Sequence, residues 1–538
     1  MRSTNLFLRP ALAGVLALAA TVAAQVAPPY RSKAWVADNG DGTYRNPILH
    51  ADYSDPDVLR IGEDYYLTAS SFNAVPGLPI LHSKDLVNWE LIGHAFAAQP
   101  PLDVYNKPGH GNGAWAPSIR RHNGEVYIFY PDPDFGIYMV KARTPAGPWS
   151  APLLVKRARG WIDPCPLWDD DGKAYLVNAL AASRSAMGST LVVSRMDPDG
   201  TRLLDDGVLV FDGHRQDPTV EGPKFYKRNG YYYIFAPAGG VPHGWQLALR
   251  SKSVYGPYER KVVLAQGKTA VNGPHQGGWV DTPAGEYWFV HFQDKGPYGR
   301  VVHLEPMKWV DDWPVIGVNG EPVLTYRKPD TGRNWPLMTP PESDEFSGGR
   351  IGPQWQWHAN PQPGWAFPAP ALGALRLYAI PRPEGFRNFW DVPNLLLQKF
   401  PAPEFTATAK VAFTPMAKGD QAGLIVMGMD YAYIGVRKTA DGLSVSQTVC
   451  KGANEGKPEM EIAPAQPASE ILYLRVAVSK DALCRFSYSA DGAGFRQIGE
   501  PFPARAGRWI GAKVGLFALA PSPARESGYA DFHWFRVE

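Results

Sequence analysis

The chain has 538 residues, and 54 lysine and arginine residues stand against 52 aspartate and glutamate residues, which leaves a net charge of +2. This balance lacks the basic surface that holds a phosphate backbone, so nucleic acid is excluded as an expected partner. Glycine (54) and proline (52) lie between aromatic and β-branched runs, a mixture typical of short strands joined by turns rather than of helical bundles.

The first 24 residues predict a secretory signal peptide. Arg2 and Arg9 precede an apolar stretch over 11–22, and small residues follow it before Gln25. The stretch is short for a membrane span, and no cysteine follows it to carry a lipid anchor. We therefore expect an exported protein, periplasmic or extracellular, that leaves the membrane after signal cleavage and continues with a linker over 25–40.

One pattern recurs five times between residues 41 and 328. Each copy is a glycine-containing turn followed by an aromatic-rich strand, and the matched aromatic residues are Tyr66, Tyr127, Tyr175, Tyr233 and Trp288. Their spacing of 48 to 61 residues suits one four-stranded blade with variable loops per copy. The sequence therefore predicts a five-bladed β-propeller over 41–328.

A second strand precedes each matched aromatic residue, and a distinctive residue stands at its start, 11 to 13 positions earlier. These five residues are Asp55, Trp115, Asp163, Glu221 and His275. Because the innermost strands of a propeller line its axis, we expect equivalent residues to face one another at one end of the channel. Three carboxyl groups at equivalent positions indicate a catalytic site rather than chance turn residues.

The repeat ends after Tyr326, and the chain then changes character. A proline-rich linker is expected over 329–342, and the alternating strands and turns over 343–538 predict an antiparallel β-sandwich. The fold class is thus all-β, a propeller followed by a sandwich. Cys450 and Cys484 are either a disulfide or two buried free thiols.

The three carboxyl groups can divide acid and base work across a sugar-sized pocket if their surroundings separate their pKa values. Asp55 has polar neighbours, which favours an ionised base that accepts a proton from water. Glu221 lies in a less polar stretch, which predicts a raised pKa and the role of general acid. Asp163 would then position Glu221 and tune its pKa.

Four other residues are candidates for binding. Phe72 and Trp115 are either stacking platforms for a sugar ring or parts of the core. Arg300 either contacts substrate hydroxyl groups or forms a surface salt bridge. His275 either ligates a cation at the axis, with Ca²⁺ the candidate, or hydrogen-bonds to a carboxylate.

The motifs at 54–57 (SDPD), 161–164 (WIDP), 220–223 (VEGP) and 76–89 (PGLPILHSKDLVNW) closely resemble glycoside hydrolase family 43, of the β-xylosidase and α-L-arabinofuranosidase kind. The resemblance covers nearly all of the chain after residue 24. It implies a five-bladed propeller with a C-terminal concanavalin A-like sandwich. It also implies an inverting exo-glycosidase that removes terminal arabinofuranosyl or xylosyl residues from plant cell-wall carbohydrate and needs no organic cofactor.

Carried over residue by residue, the resemblance agrees with the roles inferred from the repeats. The family's general base falls on Asp55, its pKa-modulating aspartate on Asp163 and its general acid on Glu221. Its substrate-contacting arginine falls on Arg300. The axial histidine, which holds calcium or water in some members, falls on His275.

The sequence departs from many β-xylosidases of the family directly after this arginine, where 301–303 (VVH) replaces a Glu-Thr pair. Arabinofuranosidase and xylosidase activity therefore both stay open. Two other functions are alternatives: a retaining fructan hydrolase of family 32, whose Asn-Asp-Pro start is absent here, and a carbohydrate-binding protein without catalysis. The oligomeric state is left open.

Overall fold

The computed structural model describes residues 29–463 and 465–538, so the predicted signal peptide lies outside the described residues. The first strand is β1 (Thr43–Arg45). No helix among the described residues is long and apolar enough to cross a membrane.

Five four-stranded antiparallel sheets follow, each made of four consecutive strands. The first two blades contain β2 (Asp57–Ile61), β3 (Asp64–Thr68), β4 (Gly77–Ser83), β5 (Trp89–Phe96), and β6 (Ser118–His122), β7 (Glu125–Asp132), β8 (Gly136–Ala142), β9 (Leu153–Arg157). The third contains β10 (Trp161–Trp168), β11 (Ala174–Leu180), the helix α1 (Ala182–Ser185), β12 (Thr190–Met196) and β13 (Val208–Asp212). The last two contain β14 (Lys224–Arg228), β15 (Tyr231–Ala238), β16 (Trp245–Ser251), β17 (Glu259–Ala265), and β18 (His275–Asp281), β19 (Tyr287–Asp294), β20 (Arg300–Val310), β21 (Trp313–Ile316).

The predicted five-bladed propeller is confirmed, and each copy of the sequence repeat corresponds to one blade. All five matched aromatic residues lie in the second strand of their blades, β3, β7, β11, β15 and β19. Apolar side chains form one cluster between each pair of adjacent blades, because alternate residues of a strand point to opposite faces of its sheet. Blade packing therefore accounts for the aromatic repeat.

The ring closes without exchanging a strand between the first and last blades. Strand β1 pairs with β22 (Thr325–Arg327), so the segments before and after the five blades hold each other in a two-stranded sheet. Arg60 on β2 makes a bidentate contact with Asp281 on β18, with N–O distances of 2.7 and 3.0 Å. This pair joins the first blade directly to the fifth.

The second domain is a sandwich of a nine-stranded and an eight-stranded sheet, which confirms the second half of the predicted fold. Its strands are β23 (Gln356–Trp357), β24 (Ala366–Ala369), β25 (Ala374–Tyr378), β26 (Ile380–Pro381), β27 (Leu396–Lys399), β28 (Phe405–Thr414), β29 (Gln421–Met427), β30 (Tyr431–Lys438), β31 (Leu443–Cys450), β32 (Met460–Glu461), β33 (Gln466–Pro467), β34 (Ile471–Ser479), β35 (Leu483–Ser489), β36 (Arg496–Gln497), β37 (Phe502–Pro503), β38 (Lys513–Ala520) and β39 (Tyr529–Val537). Short 3₁₀ helices lie at Gly296–Tyr298, Pro370–Leu372, Phe389–Asp391, Ala453–Glu455 and Lys480–Ala482.

The three cysteines are buried free thiols, so Cys450 and Cys484 do not pair. Cys450 ends β31 in the nine-stranded sheet, whereas Cys484 lies on β35 in the eight-stranded sheet. The two residues therefore belong to opposite layers of the sandwich.

The sandwich packs against the propeller at the end of the channel where the inner strands begin. Val75 and Trp357 exchange backbone hydrogen bonds of 3.1 and 2.6 Å, and the His110 ring stacks on Trp390 with centroids 3.5 Å apart. Asp52 accepts a hydrogen bond of 3.0 Å from the backbone N–H of Gly511. The second domain thus borders the mouth where the sequence predicts the catalytic residues.

Candidate active site

A cavity of ≈ 260 Å³ opens at the mouth where the inner strands begin. All six residues predicted for catalysis or substrate contact line it: Asp55, Phe72, Trp115, Asp163, Glu221 and Arg300. Its volume lies just below the range of about 300 to 1,000 Å³ typical of small-molecule pockets. The cavity therefore suits one sugar unit better than an extended chain.

Unusual backbone geometry brings two of the carboxyl groups into the cavity. Asp55, two residues before β2, has φ +55°, and Asp163 has φ +56° at a break in the pairing of β10 with β11 between Ile162 and Cys165. Non-glycine residues rarely adopt this left-handed region, and such strain is concentrated at functional sites. The local bulge turns Asp163 out of the regular alternation of its strand.

The Asp55 carboxylate is held by three neighbouring donors. Ser54 and Ser70 donate hydroxyl hydrogen bonds to Oδ2 at 2.7 and 2.6 Å, and Nη1 of Arg300 lies 3.0 Å from Oδ1. An ionised carboxylate only accepts hydrogen bonds, so three donors suit it. The side chain is fixed in one orientation, as a group that must align a water molecule requires.

Arg300 is 9% exposed and pairs with Asp55 rather than with a surface carboxylate. Its backbone N–H donates to Asp52 at 2.9 Å, which fixes the start of β20. The following residues 301–303, where the sequence departs from many β-xylosidases, are buried inside the blade and do not line the cavity. None of these three residues contributes to the cavity wall of this chain.

Asp163 is the carboxyl group whose environment raises its pKa, to about 8. Burial is the main cause, and the negative charges of Glu221 and Asp55 add to it. The only hydrogen bond to this carboxyl group among the described residues comes from the backbone N–H of Gly222, at 2.7 Å. The sequence predicted a raised pKa for Glu221 from its neighbours along the chain, whereas burial in three dimensions raises that of Asp163.

Glu221 and His275 form a hydrogen-bonded pair, with Oε1 and Nε2 3.0 Å apart. His275 is fully buried and does not line the cavity, and its contact with Glu221 is the hydrogen bond to a carboxylate that the sequence indicates as one of its two possible roles. It lies behind Glu221 and fixes the direction of that side chain. The residue of the fifth blade that does line the cavity is its neighbour Gln276.

Two aromatic residues of the propeller and one of the sandwich form part of the cavity wall. The rings of Phe72 and Trp115 are 6.2 Å apart, and Trp115 lies 6.4 Å from Trp509 of the second domain in an edge-on arrangement. Trp509 is 50% exposed and has φ +66°. Sequence reasoning missed Trp509, and its one available sign was an isolated tryptophan in a segment between strands.

The described residues offer little support for a metal centre in the cavity. One group of three side chains could hold an ion, His291, His303 and Glu305, whose candidate ligand atoms lie within 4.8 Å of one another. This group is buried inside the fifth blade and does not line the cavity. Within it, His291 Nε2 and Glu305 Oε1 already form a hydrogen bond of 3.1 Å. His275 belongs to no such group among the described residues.

Comparison with known proteins places the chain in one family. The family model described as glycosyl hydrolases family 43 matches residues 44–314, and the model described as the beta xylosidase C-terminal concanavalin A-like domain matches residues 343–538. A putative beta-xylosidase from Xylanibacter ruminicola is 40% identical over 90% of this chain and 88% of its own length. A non-reducing end alpha-L-arabinofuranosidase from Bacteroides ovatus is 30% identical over 92% of this chain and 94% of its own length.

Solved structures agree with the sequence comparisons. A family 43 protein from Bacillus licheniformis superposes with a TM-score of 0.81 at 27% identity, covering 92% of this chain and 99% of that one. A xylan beta-1,4-xylosidase from Bacillus halodurans gives the same TM-score at 25% identity, with coverage of 92% and 99%. The chain therefore belongs to glycosyl hydrolase family 43 and is a glycosidase with a C-terminal concanavalin A-like domain.

Proposed function

We propose that the protein is an inverting exo-glycosidase that removes terminal α-L-arabinofuranosyl or β-D-xylosyl residues from plant cell-wall oligosaccharides and polysaccharides. The observation that carries the proposal is that three carboxyl groups from three different blades line one sugar-sized cavity. Membership of family 43 supports hydrolysis of a glycosidic bond. Membership of family 43 also argues against the alternative of a retaining fructan hydrolase of family 32.

In this proposal Asp55 is the general base. The two hydroxyl groups and the Arg300 guanidinium hold its carboxylate so that it can accept a proton from a water molecule attacking the anomeric carbon. Asp55 and Glu221 belong to the first and fourth blades, which are not adjacent around the ring. Because the two carboxyl groups face each other across the channel, there is room between them for the water molecule that an inverting mechanism requires.

Glu221 is the proposed general acid, and it donates its proton to the departing glycosidic oxygen. Burial, together with the neighbouring negative charges of Glu221 and Asp55, raises the pKa of Asp163 to about 8. Asp163 thereby keeps a proton available near neutral pH, and the hydrogen bond from Gly222 fixes it beside the acid. We propose that Asp163 modulates Glu221 in this way.

The cavity wall supports action on chain ends. Trp509 extends from the sandwich over the same cavity as Phe72 and Trp115, so the second domain helps to limit the space beyond one sugar unit. Aromatic rings offer stacking faces for the apolar side of a sugar ring. These contacts do not choose between arabinofuranose and xylopyranose, and the proposed substrate class keeps both.

Hydrolysis of 4-nitrophenyl α-L-arabinofuranoside, β-D-xylopyranoside and β-D-galactopyranoside tests the activity and ranks the sugars. Proton NMR of the first turnovers tests the mechanism, and we expect the product sugar to have the anomeric configuration opposite to that of the substrate. A first product with retained configuration would make Asp55 a nucleophile and refute single displacement. No hydrolysis of any glycoside would favour a binding protein without catalysis.

One buried atom bears on the expectation of a Ca²⁺ ion at the propeller axis. Nδ1 of His275 is buried and has no partner among the described residues, which leaves it free for a cation or a water molecule. The side chains present do not fit Ca²⁺, which prefers six to eight oxygen ligands, so no catalytic step is derived through the ion. Chelation that lowers activity or melting temperature, with recovery on adding calcium, would support a site there.

Export is a proposal that rests on the first 24 residues alone, with their arginines, apolar stretch and small residues before Gln25. The amino-terminal sequence of the protein recovered from the cells that produce it tests this proposal. We expect a new terminus near residue 25 in the periplasm or the medium. An uncleaved chain in the cytoplasm would contradict export.

A further inference from the structure

Gln276 occupies an irregular position in the inner strand of the fifth blade. In the pairing of β18 with β19, His275 lies opposite Phe292 and Gly277 lies opposite His291, so Gln276 is an extra residue without a cross-strand partner. Its φ of +36° is in the left-handed region. A bulge of this kind redirects a side chain, and bulges are frequent beside active sites.

The same backbone feature is found at the two aspartates of the cavity. Asp55, Asp163 and Gln276 all have positive φ values, and all three side chains line the cavity. Residues held in this strained region by the rest of the fold are concentrated at ligand sites. The fifth blade therefore presents a carboxamide to the cavity where the first and third blades present carboxyl groups.

The Gln276 amide has no hydrogen-bond partner among the described residues, although the residue is only 2% exposed. Its Nε2 atom is fully buried and unpaired, and neither Nε2 nor Oε1 hydrogen-bonds to another described residue. A buried amide without a partner is unfavourable, and native proteins rarely retain one. Because Gln276 also lines the cavity, a molecule bound there can supply the missing hydrogen-bond partner.

The neighbours of the amide direct it toward the acid side of the cavity. A side chain at Gly222 would lie 2.7 Å from Cδ of Gln276, so the amide packs directly against the residue that follows Glu221. On its other side, His275 hydrogen-bonds to Glu221. Gln276 therefore packs into the group of residues that positions Glu221 and that donates a hydrogen bond to Asp163 through Gly222.

We propose that Gln276 is a substrate-binding residue whose amide hydrogen-bonds to a ring hydroxyl group of the terminal sugar, on the Glu221 side of the cavity. This inference rests on the proposed glycosidase function. A sugar hydroxyl both donates and accepts hydrogen bonds, and the carboxamide offers two donors and an acceptor without adding charge beside Asp163 and Glu221. A site that pairs a buried amide with a hydroxyl group discriminates against sugars that lack it.

The test combines Gln276→Met with glycosides that lack one hydroxyl group. Methionine keeps the length of the side chain and its packing against Gly222 but cannot form the hydrogen bonds. We expect kcat/KM for the parent glycoside to fall about 10-fold, the loss expected for one hydrogen bond of about 1.4 kcal/mol. For one monodeoxy glycoside the same substitution should have little effect, since the partner hydroxyl is already absent.

The matched control is Gln246→Met, because Gln246 is a buried glutamine on β16 that does not line the cavity. It should change stability alone and leave the ranking of parent and deoxy glycosides unchanged. Equal losses for Gln276→Met with the parent and every deoxy glycoside would overturn the proposal. If Gln276→Met does not fold by circular dichroism, Gln276→Ala replaces it in the same measurements.

Failure of the proposed function is distinguishable from failure of this inference. If the wild-type protein hydrolyses none of the glycosides, titration calorimetry with arabinose- and xylose-terminated oligosaccharides replaces kinetics. Weaker binding to Gln276→Met than to wild type and Gln246→Met would then support the assignment without catalysis. Equal binding by all three proteins would overturn it.

Discussion

The two mouths of the propeller channel are formed by opposite ends of the same five inner strands. They differ in whether their charged side chains have partners of opposite charge. The far mouth has the larger cavity, ≈ 410 Å³, lined by Arg60, Arg120 and Lys227 among other residues. Each of these three cations has an acidic partner, and the pairs are Arg60 with Asp281, Arg120 with Asp57, and Lys227 with Asp169 and Asp170. These three cations at the far mouth are therefore each balanced by a neighbouring carboxylate.

At the near mouth Asp55 pairs with Arg300, whereas Asp163 and Glu221 interact with each other and form no salt bridge with a lysine or arginine among the described residues. Asp163 receives one backbone hydrogen bond, and the nearest buried ammonium group, that of Lys224, donates to Pro117 and Ser118 rather than to a carboxylate. Like charges held together in a buried site raise a pKa and reduce stability, which a protein retains where chemistry needs it. Two neighbouring carboxyl groups without a lysine or arginine partner, rather than cavity volume, therefore distinguish the active end.

The largest expected effect comes from removing the base. Asp55→Asn should lower kcat on every glycoside by about 10²- to 10⁴-fold, because an amide cannot accept the proton from water. Its hydrogen bonds with Ser54 and Ser70 can largely persist, so the circular dichroism spectrum should not change. Activity of Asp55→Asn within a few-fold of wild type on all substrates would move the base elsewhere.

Removing the acid should produce an effect that depends on the leaving group. Glu221→Gln should strongly reduce hydrolysis of natural oligosaccharides, whose alcohol leaving groups need a proton, and much less that of aryl glycosides that leave unaided. Steady-state rates on a series of aryl glycosides with leaving groups of different pKa provide the measurement. A loss that is the same for good and poor leaving groups would contradict an acid role.

Asp163→Asn tests how the raised pKa of Asp163 affects the free energy of unfolding. Because the pKa of Asp163 rises from 3.8 to about 8 in the folded protein, the folded state holds this proton more tightly than the unfolded state. The contribution of Asp163 to the free energy of unfolding is therefore largest at low pH and falls as the pH rises from about 4 to 8.

Asparagine does not titrate, and its side-chain oxygen can still accept the hydrogen bond from Gly222. Asp163→Asn should therefore gain stability relative to wild type as the pH increases, while activity falls. Denaturant unfolding of both proteins at pH 5 and pH 8 measures the change. A difference in unfolding free energy that is the same at both pH values would refute the raised pKa.

A smaller effect is expected where the active end extends onto the sandwich. Trp509→Ala removes one wall of the cavity, and the loss of an aromatic contact of about 0.5 to 1.5 kcal/mol corresponds to about a 3- to 10-fold decrease in kcat/KM. Since half of the side chain is already exposed, stability should change little. If Trp509→Ala has the same kcat/KM as wild type on every substrate, the sandwich does not contribute to substrate binding.

The sequence revealed the carboxyl groups because the repeat provides a frame. Asp55, Asp163 and Glu221 stand at equivalent distances from buried aromatic residues, and blade packing converts that equivalence into a shared location. In the fifth blade the repeat identified His275, which contacts Glu221, but missed its neighbour Gln276, which lines the cavity at a bulge. Counting residues along the strand cannot show the backbone angle that directs the Gln276 side chain into the cavity.

Other features required three-dimensional information. Trp509 lies in the second domain, far along the chain from the repeat, and nothing in its local sequence relates it to Trp115. A raised pKa was expected at Glu221 from neighbouring residues in the chain, but the burial that raises the pKa of Asp163 is a property of the assembled ring. Residues that meet only through domain packing are thus the ones that pattern analysis missed.

The smallest effect is expected at the far mouth, where Asp281→Asn breaks the pair with Arg60. Both side chains are partly exposed, at 42% and 27%, so solvent screens their attraction and the lost stability should be about 0.5 kcal/mol or less. The inner strands β2 and β18 keep their own sheets, so Asp55 and Gln276 at the near ends of these strands should not move. Denaturant unfolding and kcat/KM for the best glycoside give the two readouts, with Asp55→Asn as the comparison at the near mouth. Loss of activity in Asp281→Asn comparable with that in Asp55→Asn would mean that both mouths serve the reaction, and the contrast between paired and unpaired charge would no longer locate the active site.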